Sequence, residues 1–215
     1  MLGGNGGFLF SPYKRRCRVT QVSSVSCFGS GQGKLGEPLY EAMRTVGRAL
    51  GQRHITVVTG GHGGVGMEAP CRGAYEVGGR TIGYPLPNRA PNAYLTTTYQ
   101  VDLLYPQVSF ECLWAVRLGL LLGSDGFIAA GWDSDQASGG SLGTATELMA
   151  AFTLNAKLWK LSKRLAILHP PDVQIPGWDV GMLDAFMEWG ILPREVRPSV
   201  HVARSPIEAV AWVTG

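Results

Sequence analysis

The sequence predicts one α/β domain: a doubly wound, mostly parallel sheet of about seven strands, with helices on both faces. Three observations predict it. Short apolar runs alternate with segments of helical period along most of the chain. The runs are continuous rather than alternating, as expected of strands buried on both faces. Three of them lead into glycine-rich loops, and a parallel sheet gathers such loops at its carboxyl edge.

Residues 1–20 read as a flexible, partly basic arm, in which Phe8, Leu9 and Phe10 are available to dock on the body or on a partner chain. The domain occupies 21–215. Residues 22–28 form a first strand, ending in Gly29-Ser30-Gly31-Gln32-Gly33-Lys34. Pro38 suits the first turn of a helix whose apolar positions run to Leu50, with Gly51 as its stop. A second strand over 54–59 enters Gly60-Gly61-His62-Gly63-Gly64-Val65-Gly66 and a helix reaching about Val77. Strands are expected at 80–84 and 96–104, separated by a proline-rich loop at 85–91. Ser109 caps a helix to about Leu122, and a fifth strand at 126–130 follows. A polar loop at 132–138 precedes a helix from about Ser141 to Ala156. A strand at 164–169, a helix at 179–189, a short strand at 199–203 and a helix over 206–213, capped by Ser205, complete the chain.

A chain of 215 residues is long enough to bury a full core. The net charge of +3 is too small to argue for a nucleic-acid partner, and the only basic cluster, Lys14-Arg15-Arg16 with Arg18, lies in the arm. The four cysteines show no C-x-x-C spacing and suit free thiols in a reducing cytosol. The longest apolar run, 113–122, carries Arg117 and is too short to span a bilayer. Residues 1–10 lack a signal-peptide core. The expectation is a soluble cytoplasmic protein that binds neither membrane nor nucleic acid.

The glycine loops carry the functional signal. Backbone N–H groups at a helix N-terminus, with no Cβ to block approach, form an anion site. Three such loops at one sheet edge point to a phosphate-bearing ligand, held by Gly29, Ser30 and Gly31, by Gly60, Gly61, Gly63, Gly64, Gly66 and Met67, and by Gly139, Gly140, Ser141, Gly143 and Thr144. Gly61-x-Gly63-x-x-Gly66 and Gly31-x-Gly33-x-x-Gly36 match the dinucleotide fingerprint in spacing, yet neither has an acidic residue about 20 positions on to hold the ribose hydroxyls. Gly33-Lys34 lacks the remainder of a Walker loop. A mononucleotide or nucleotide-like ligand remains. Two charged residues stand beside these loops. Glu147 is placed one turn into the helix after the third loop, with its carboxylate leaning back toward the glycines; alternatively, Thr144-x-x-Glu147 is a capping box. Arg117 interrupts an apolar helix, so it either faces solvent or reaches an anion or Glu147. Asp133 and Asp135 lack the glycine and distal glutamate of a calcium loop, and no metal site is expected.

Thr59-Gly60-Gly61-His62-Gly63-Gly64-Val65-Gly66-Met67, Arg72-Gly73-Ala74 and Gly78-Gly79-Arg80-Thr81-Ile82-Gly83 resemble the lysine-decarboxylase-like superfamily. This superfamily includes the Lonely Guy cytokinin-activating phosphoribohydrolases and the molybdenum cofactor carrier proteins. Cys27-Phe28-Gly29-Ser30-Gly31 and the segment from Arg117 to Glu147 extend the resemblance. It implies a Rossmann-like fold, a homodimer or larger homo-oligomer, and nucleotide binding at the loops. In the hydrolase branch an arginine and a glutamate serve cleavage of the N-glycosidic bond of a nucleoside 5′-monophosphate to free base and ribose 5-phosphate; Arg117 and Glu147 match them. No cofactor is required for that chemistry. The alternative it implies is a non-catalytic carrier or sensor of a phosphorylated, pterin-type cofactor. Ser138 stands where the hydrolases carry proline, and two residues separate Gly140 from Gly143, a form closer to the carrier branch. Arg117 and Asp125 are one residue closer than in the hydrolases, which turns Arg117 by about 100° around its helix.

Overall fold

The computed structural model describes residues 21–87, 89–99, 109–130, 141–160, 162–171 and 180–215. In chain order these form β1 (Ser24–Phe28), α1 (Pro38–Gln52), β2 (Thr56–Thr59), α2 (Glu68–Tyr75), β3 (Thr81–Gly83), β4 (Thr97–Thr98), α3 (Phe110–Leu122), β5 (Gly126–Ala130), α4 (Ser141–Lys157), β6 (Arg164–Leu168), α5 (Val180–Glu188), a 3-10 segment (Arg194–Ser199), β7 (Val200–Ala203) and α6 (Pro206–Thr214). The strands build one sheet in the order β4-β3-β2-β1-β5-β6-β7. Every pairing in it is parallel. The doubly wound α/β fold expected from the alternating runs is the fold observed.

Period-two alternation divides the strand side chains between two cores. Val25, Cys27, Ile128 and Ala130 face a layer containing Met43 and Leu50 of α1, Cys71 of α2 and Val210 of α6. Phe28, Phe127 and Ala129 face the opposite layer, with Leu120 of α3, Phe152 of α4 and Met187 of α5. Phe28 and Phe127 stack with ring centroids 5.8 Å apart across the β1–β5 pair. Both are almost fully buried, and each such ring stabilises the fold by about 2 kcal/mol.

Ser109 Oγ accepts from Cys112 N and Ser205 Oγ accepts from Glu208 N, so both expected helix caps form. At the start of α1, Glu37 accepts from Lys34 N and Glu41 from Gly36 N. Gly51 does not stop α1. The helix runs to Gln52, and Gly51 is buried against Ala74 and Val77 while His54 takes the left-handed conformation (φ 58°). Of the strand expected at 96–104, Thr97–Thr98 pairs with β3, and residues 100–104 lie outside the described residues. The polar loop at 132–138 and the arm at 1–20 also lie outside them. A 3-10 segment that contains Pro198 precedes β7, where the sequence reading placed no element.

Polar contacts fix α3 and β5 to the first strand. Asp125 accepts from Ser23 N at 2.9 Å, Ser23 Oγ at 2.7 Å and Ser24 N at 3.1 Å. The buried Ser26 Oγ lies 2.7 Å from Leu120 O and 2.8 Å from Ser124 Oγ. Burial raises the Asp125 pKa, but the hydrogen bonds from Ser23 and Ser24 outweigh it and hold the carboxyl below its ordinary 3.8. A depressed folded pKa gives stability that is present above 3.8 and lost as pH falls through the folded value. Asp125→Asn is therefore expected to cost roughly 1–3 kcal/mol near neutral pH. In urea denaturation series at different pH, the gap from the parent protein should shrink once pH drops below 3.8.

Candidate functional site

Sheet order reverses at β1, which has β2 on one side and β5 on the other. Open parallel sheets bind ligands in the crevice outside the strand carboxyl ends at such a point. A cavity of about 530 Å³ lies there. Its walls come from the end of β1 (Cys27, Phe28, Gly29), the loop after β1 (Gly31, Gln32), the loop after β2 (Gly60, His62, Met67), Leu86 and Arg89 beyond β3, one side of α3, and Gly143, Thr144 and Glu147 of α4.

The loops after β1 and β2 are locked together through their backbones. Gly66 N donates to Ser30 O at 3.0 Å, and Val65 N to Gln32 O at 2.7 Å. A Cβ on Gly66 would lie 2.2 Å from Gly29 N. One on Gly64, already at φ +90°, would lie 2.2 Å from the Gly31 carbonyl carbon. These two glycines thus have a packing reason of their own, and neither lines the cavity. Of the residues expected at the site, Gly29, Gly31, Gly60, Met67, Arg117, Gly143, Thr144 and Glu147 line it, while Ser30, Gly61, Gly63, Gly64 and Gly66 stand behind the wall. Gly139 and Gly140, and the side chain of Ser141, lie outside the described residues.

Because α4 begins at Ser141, where the sequence placed its start, Thr144 sits within its first turn and Glu147 nearly two turns in rather than one. Thr144 is therefore not the N-cap, and the capping-box alternative is excluded. Its hydroxyl is buried without a hydrogen-bond partner, as is Arg117 Nε. Arg117 reaches the cavity from α3 despite the shortened spacing to Asp125, and its Nη2 approaches Gly143. Burial lifts the Glu147 pKa to about 7, with the Arg117 charge offsetting part of the rise. Two unsatisfied donors and a carboxyl that changes charge near neutrality thus meet at one wall.

The sequence reading did not single out four polar or apolar wall residues: Gln32, His62, Leu86 and Arg89. His62 lay within a motif already noted, but its neighbours masked it as one more loop position. Arg89 lay in a proline-rich stretch with no periodicity to orient it.

Fold and cavity together define a Rossmann-like α/β protein with a cavity at the sheet's switch point. Residues 22–104 match the family described as the SLOG cluster4 family. The molybdenum cofactor carrier protein of Chlamydomonas reinhardtii shares the fold at 22% identity, with 87% of this chain and 93% of that chain covered and a TM-score of 0.58. The molybdenum cofactor binding protein of the phototrophic bacterium Rippkaea orientalis does so at 20% identity, covering 89% and 95%, with a TM-score of 0.60. No curated protein matches the sequence. The family match falls on the stretch that carries the resemblance to the lysine-decarboxylase-like superfamily, and the solved structures share the Rossmann-like fold that the resemblance implies.

Glu147 also carries a stability signature. Its folded pKa lies above the ordinary 4.5, so the native state is penalised increasingly as pH rises from 4.5 to about 7, and by a constant amount above that. Glu147→Gln removes the charge and should raise the melting temperature at alkaline pH. The gain should shrink through the neutral range and vanish near 4.5, as read by thermal denaturation across pH.

Proposed function

We propose that the cavity binds a small phosphorylated ligand and that the chain hydrolyses the N-glycosidic bond of a nucleoside 5′-monophosphate, releasing free base and ribose 5-phosphate. The observation that carries this reading is the convergence of Arg117, Thr144 and Glu147 on one wall, with Arg117 Nε and Thr144 Oγ1 buried and unpartnered there. The backbone at Gly29, Gly31 and Gly143 lets an anion approach closely, and Arg117 Nε and Thr144 Oγ1 donate to its oxygens. The bond from the anomeric carbon to the base nitrogen breaks, and its electron pair leaves with the base. A water oxygen bonds to the carbon, and a proton from that water ends on the base. As a carboxylate, Glu147 orients the water and stabilises the oxocarbenium-like charge, as carboxylates do in glycoside cleavage.

A second reading is a carrier of a phosphorylated, pterin-type cofactor. The two solved structures named for molybdenum cofactor carriage or binding support it, as does the spacing of Gly139 to Thr144. Arg117 and Thr144 fit the phosphate of such a group equally well. We further assign the chain to the cytoplasm, a reading supported by the buried free thiols of Cys27, Cys71 and Cys112. No helix among the described residues is long and apolar enough to cross a membrane.

Incubation with a panel of nucleoside 5′-monophosphates should release ribose 5-phosphate, and Glu147→Gln should slow release by about 100-fold or more. A folded protein that releases none from any of them overturns the hydrolase reading. Tight binding of a phosphorylated pterin, little affected by Glu147→Gln, would then establish the carrier.

The same reading includes a homodimer. Trp114 and Leu118 of α3 and Met149 and Leu154 of α4 line an apolar hollow of about 620 Å³ on the flank of the site. Leu118 and Leu122 are exposed beside it, and a helix apolar on nearly every side is normally covered. Leu118→Glu should convert the dimer to a monomer in light scattering; a parent protein already monomeric at high concentration overturns the assignment.

A further inference from the structure

Among the titratable wall groups that the proposed activity leaves unused is His62. His62 sits half-buried in the loop after β2, and its ring bridges to the segment beyond β3 rather than to the cavity's other polar groups. Nε2 receives the backbone N–H of Leu86 at 2.8 Å. An amide only donates, so this nitrogen is unprotonated and the ring is neutral, with its proton on Nδ1. Nδ1 lies 3.3 Å from the Ala90 carbonyl, the partner such a proton requires. Both contacts therefore demand the same tautomer.

The backbone on either side of His62 holds the same segment. Asn92 Nδ2 donates to His62 O at 3.0 Å, and Asn92 N donates to Gly61 O at 2.8 Å. Between these attachments the segment presents Leu86 and Arg89 to the cavity. Asn92 anchors its far end whatever the state of the ring. Tyr84 N donates to Thr59 O at 3.1 Å, whereas Leu86 N has no described backbone acceptor in place of Nε2, so from Leu86 onward the near end depends on the imidazole.

We infer that His62 is a positioning residue whose neutral imidazole latches residues 84–87 and 89–92 onto the loop after β2, setting Leu86 and Arg89 as one wall of the cavity, and that protonation of the ring releases that wall. A proton on Nε2 turns the acceptor of the Leu86 amide into a second donor, so the two N–H groups oppose each other. Of the charged groups that face this cavity and loop, Arg89 acts on the ring. Arg89 rides on the latched segment, and Arg117 on α3 and Glu147 on α4 face the same cavity. Glu68 at the start of α2 accepts from Tyr40 Oη at 2.8 Å. Burial disfavours the charged ring, the Ala90 contact acts against that, and Arg89 adds to it; the net pKa falls below 6.5. A depressed histidine gives stability that is present above 6.5 and lost as pH falls toward the folded value.

The inference concerns the cavity proposed above as a ligand site, but its test reads the segment itself and needs no ligand. Amide exchange of Leu86, corrected for the intrinsic pH dependence of exchange, is followed by NMR from about pH 7.5 to about pH 5. Protection in the parent protein should fall by roughly tenfold or more on acidification, and ring ¹⁵N shifts should report the Nδ1–H tautomer at the upper pH. His62→Gln places an uncharged acceptor near the Nε2 position and should keep Leu86 protected throughout; His62→Ala should leave it unprotected throughout. Protection in the parent that does not change with pH overturns the inference, as does a Gln variant that loses protection in parallel with the parent. An Nε2–H tautomer overturns it too. If His62→Ala does not fold, the comparison of parent and Gln variant decides.

Discussion

The backbone contact between the loops after β1 and β2 is the constraint on which the site depends. At this point Gly66 rests on Gly29 with no space for a Cβ, and two amides of the second loop are spent on carbonyls of the first. The contact brings the ends of two neighbouring parallel strands into one rigid floor. A ligand cavity at a switch point needs such a floor, because the crevice there is otherwise bounded by loops free to move apart. The opposite wall comes from α3 and α4, which are held to the same strands through Phe28, Phe127 and Phe152. The floor is fixed by sterics, and the wall by burial of apolar area.

Against that rigid frame, the polar groups of the site are kept at a cost. A threonine hydroxyl and an arginine Nε buried without partners lose free energy that water would supply, about 1–3 kcal/mol for each such group. A glutamate lifted to about 7 by burial adds to this penalty. Core packing does not retain such groups, since Val in place of Thr144 and Gln in place of Glu147 preserve shape without the loss. Their concentration on one wall of the cavity is what supports reading that wall as a binding surface.

Much of the fold was legible in the sequence because buried parallel strands write themselves as continuous apolar runs, as in Phe127-Ile128-Ala129-Ala130, and because Ser109 and Ser205 announce helix starts chemically. The site was legible only in outline. Glycine signals the absence of a Cβ but not what excludes it. A neighbouring backbone does so at Gly64 and Gly66, while Gly29 and Gly31 also border open space. The helix start at about Ser141 was legible, but reading Thr144-x-x-Glu147 as a cap counted Glu147 from Thr144, which lies inside the first turn. Arg117 is the converse case. Its local spacing turned it away from the position the resemblance assigned, yet tertiary packing of α3 against the sheet brings it to the cavity.

His62 shows why a wall can escape a sequence reading altogether. Its two partners, Leu86 and Ala90, are reached through backbone atoms, and backbone acceptors and donors leave no trace in residue identity. Nothing about a leucine or an alanine marks it as the counterpart of a histidine more than 20 positions earlier. The ring is also the group on the floor's edge that joins a rigid part to a less constrained one. On one side is the interlocked pair of glycine loops, where a missing hydrogen bond changes little because sterics hold the backbone. On the other is a proline-rich stretch with the three-residue β3 behind it. A single imidazole at such a junction has more leverage over the cavity's shape than any residue deeper in the sheet, and the chemistry that makes it a good latch, one acceptor and one donor on the same ring, also makes it sensitive to a proton.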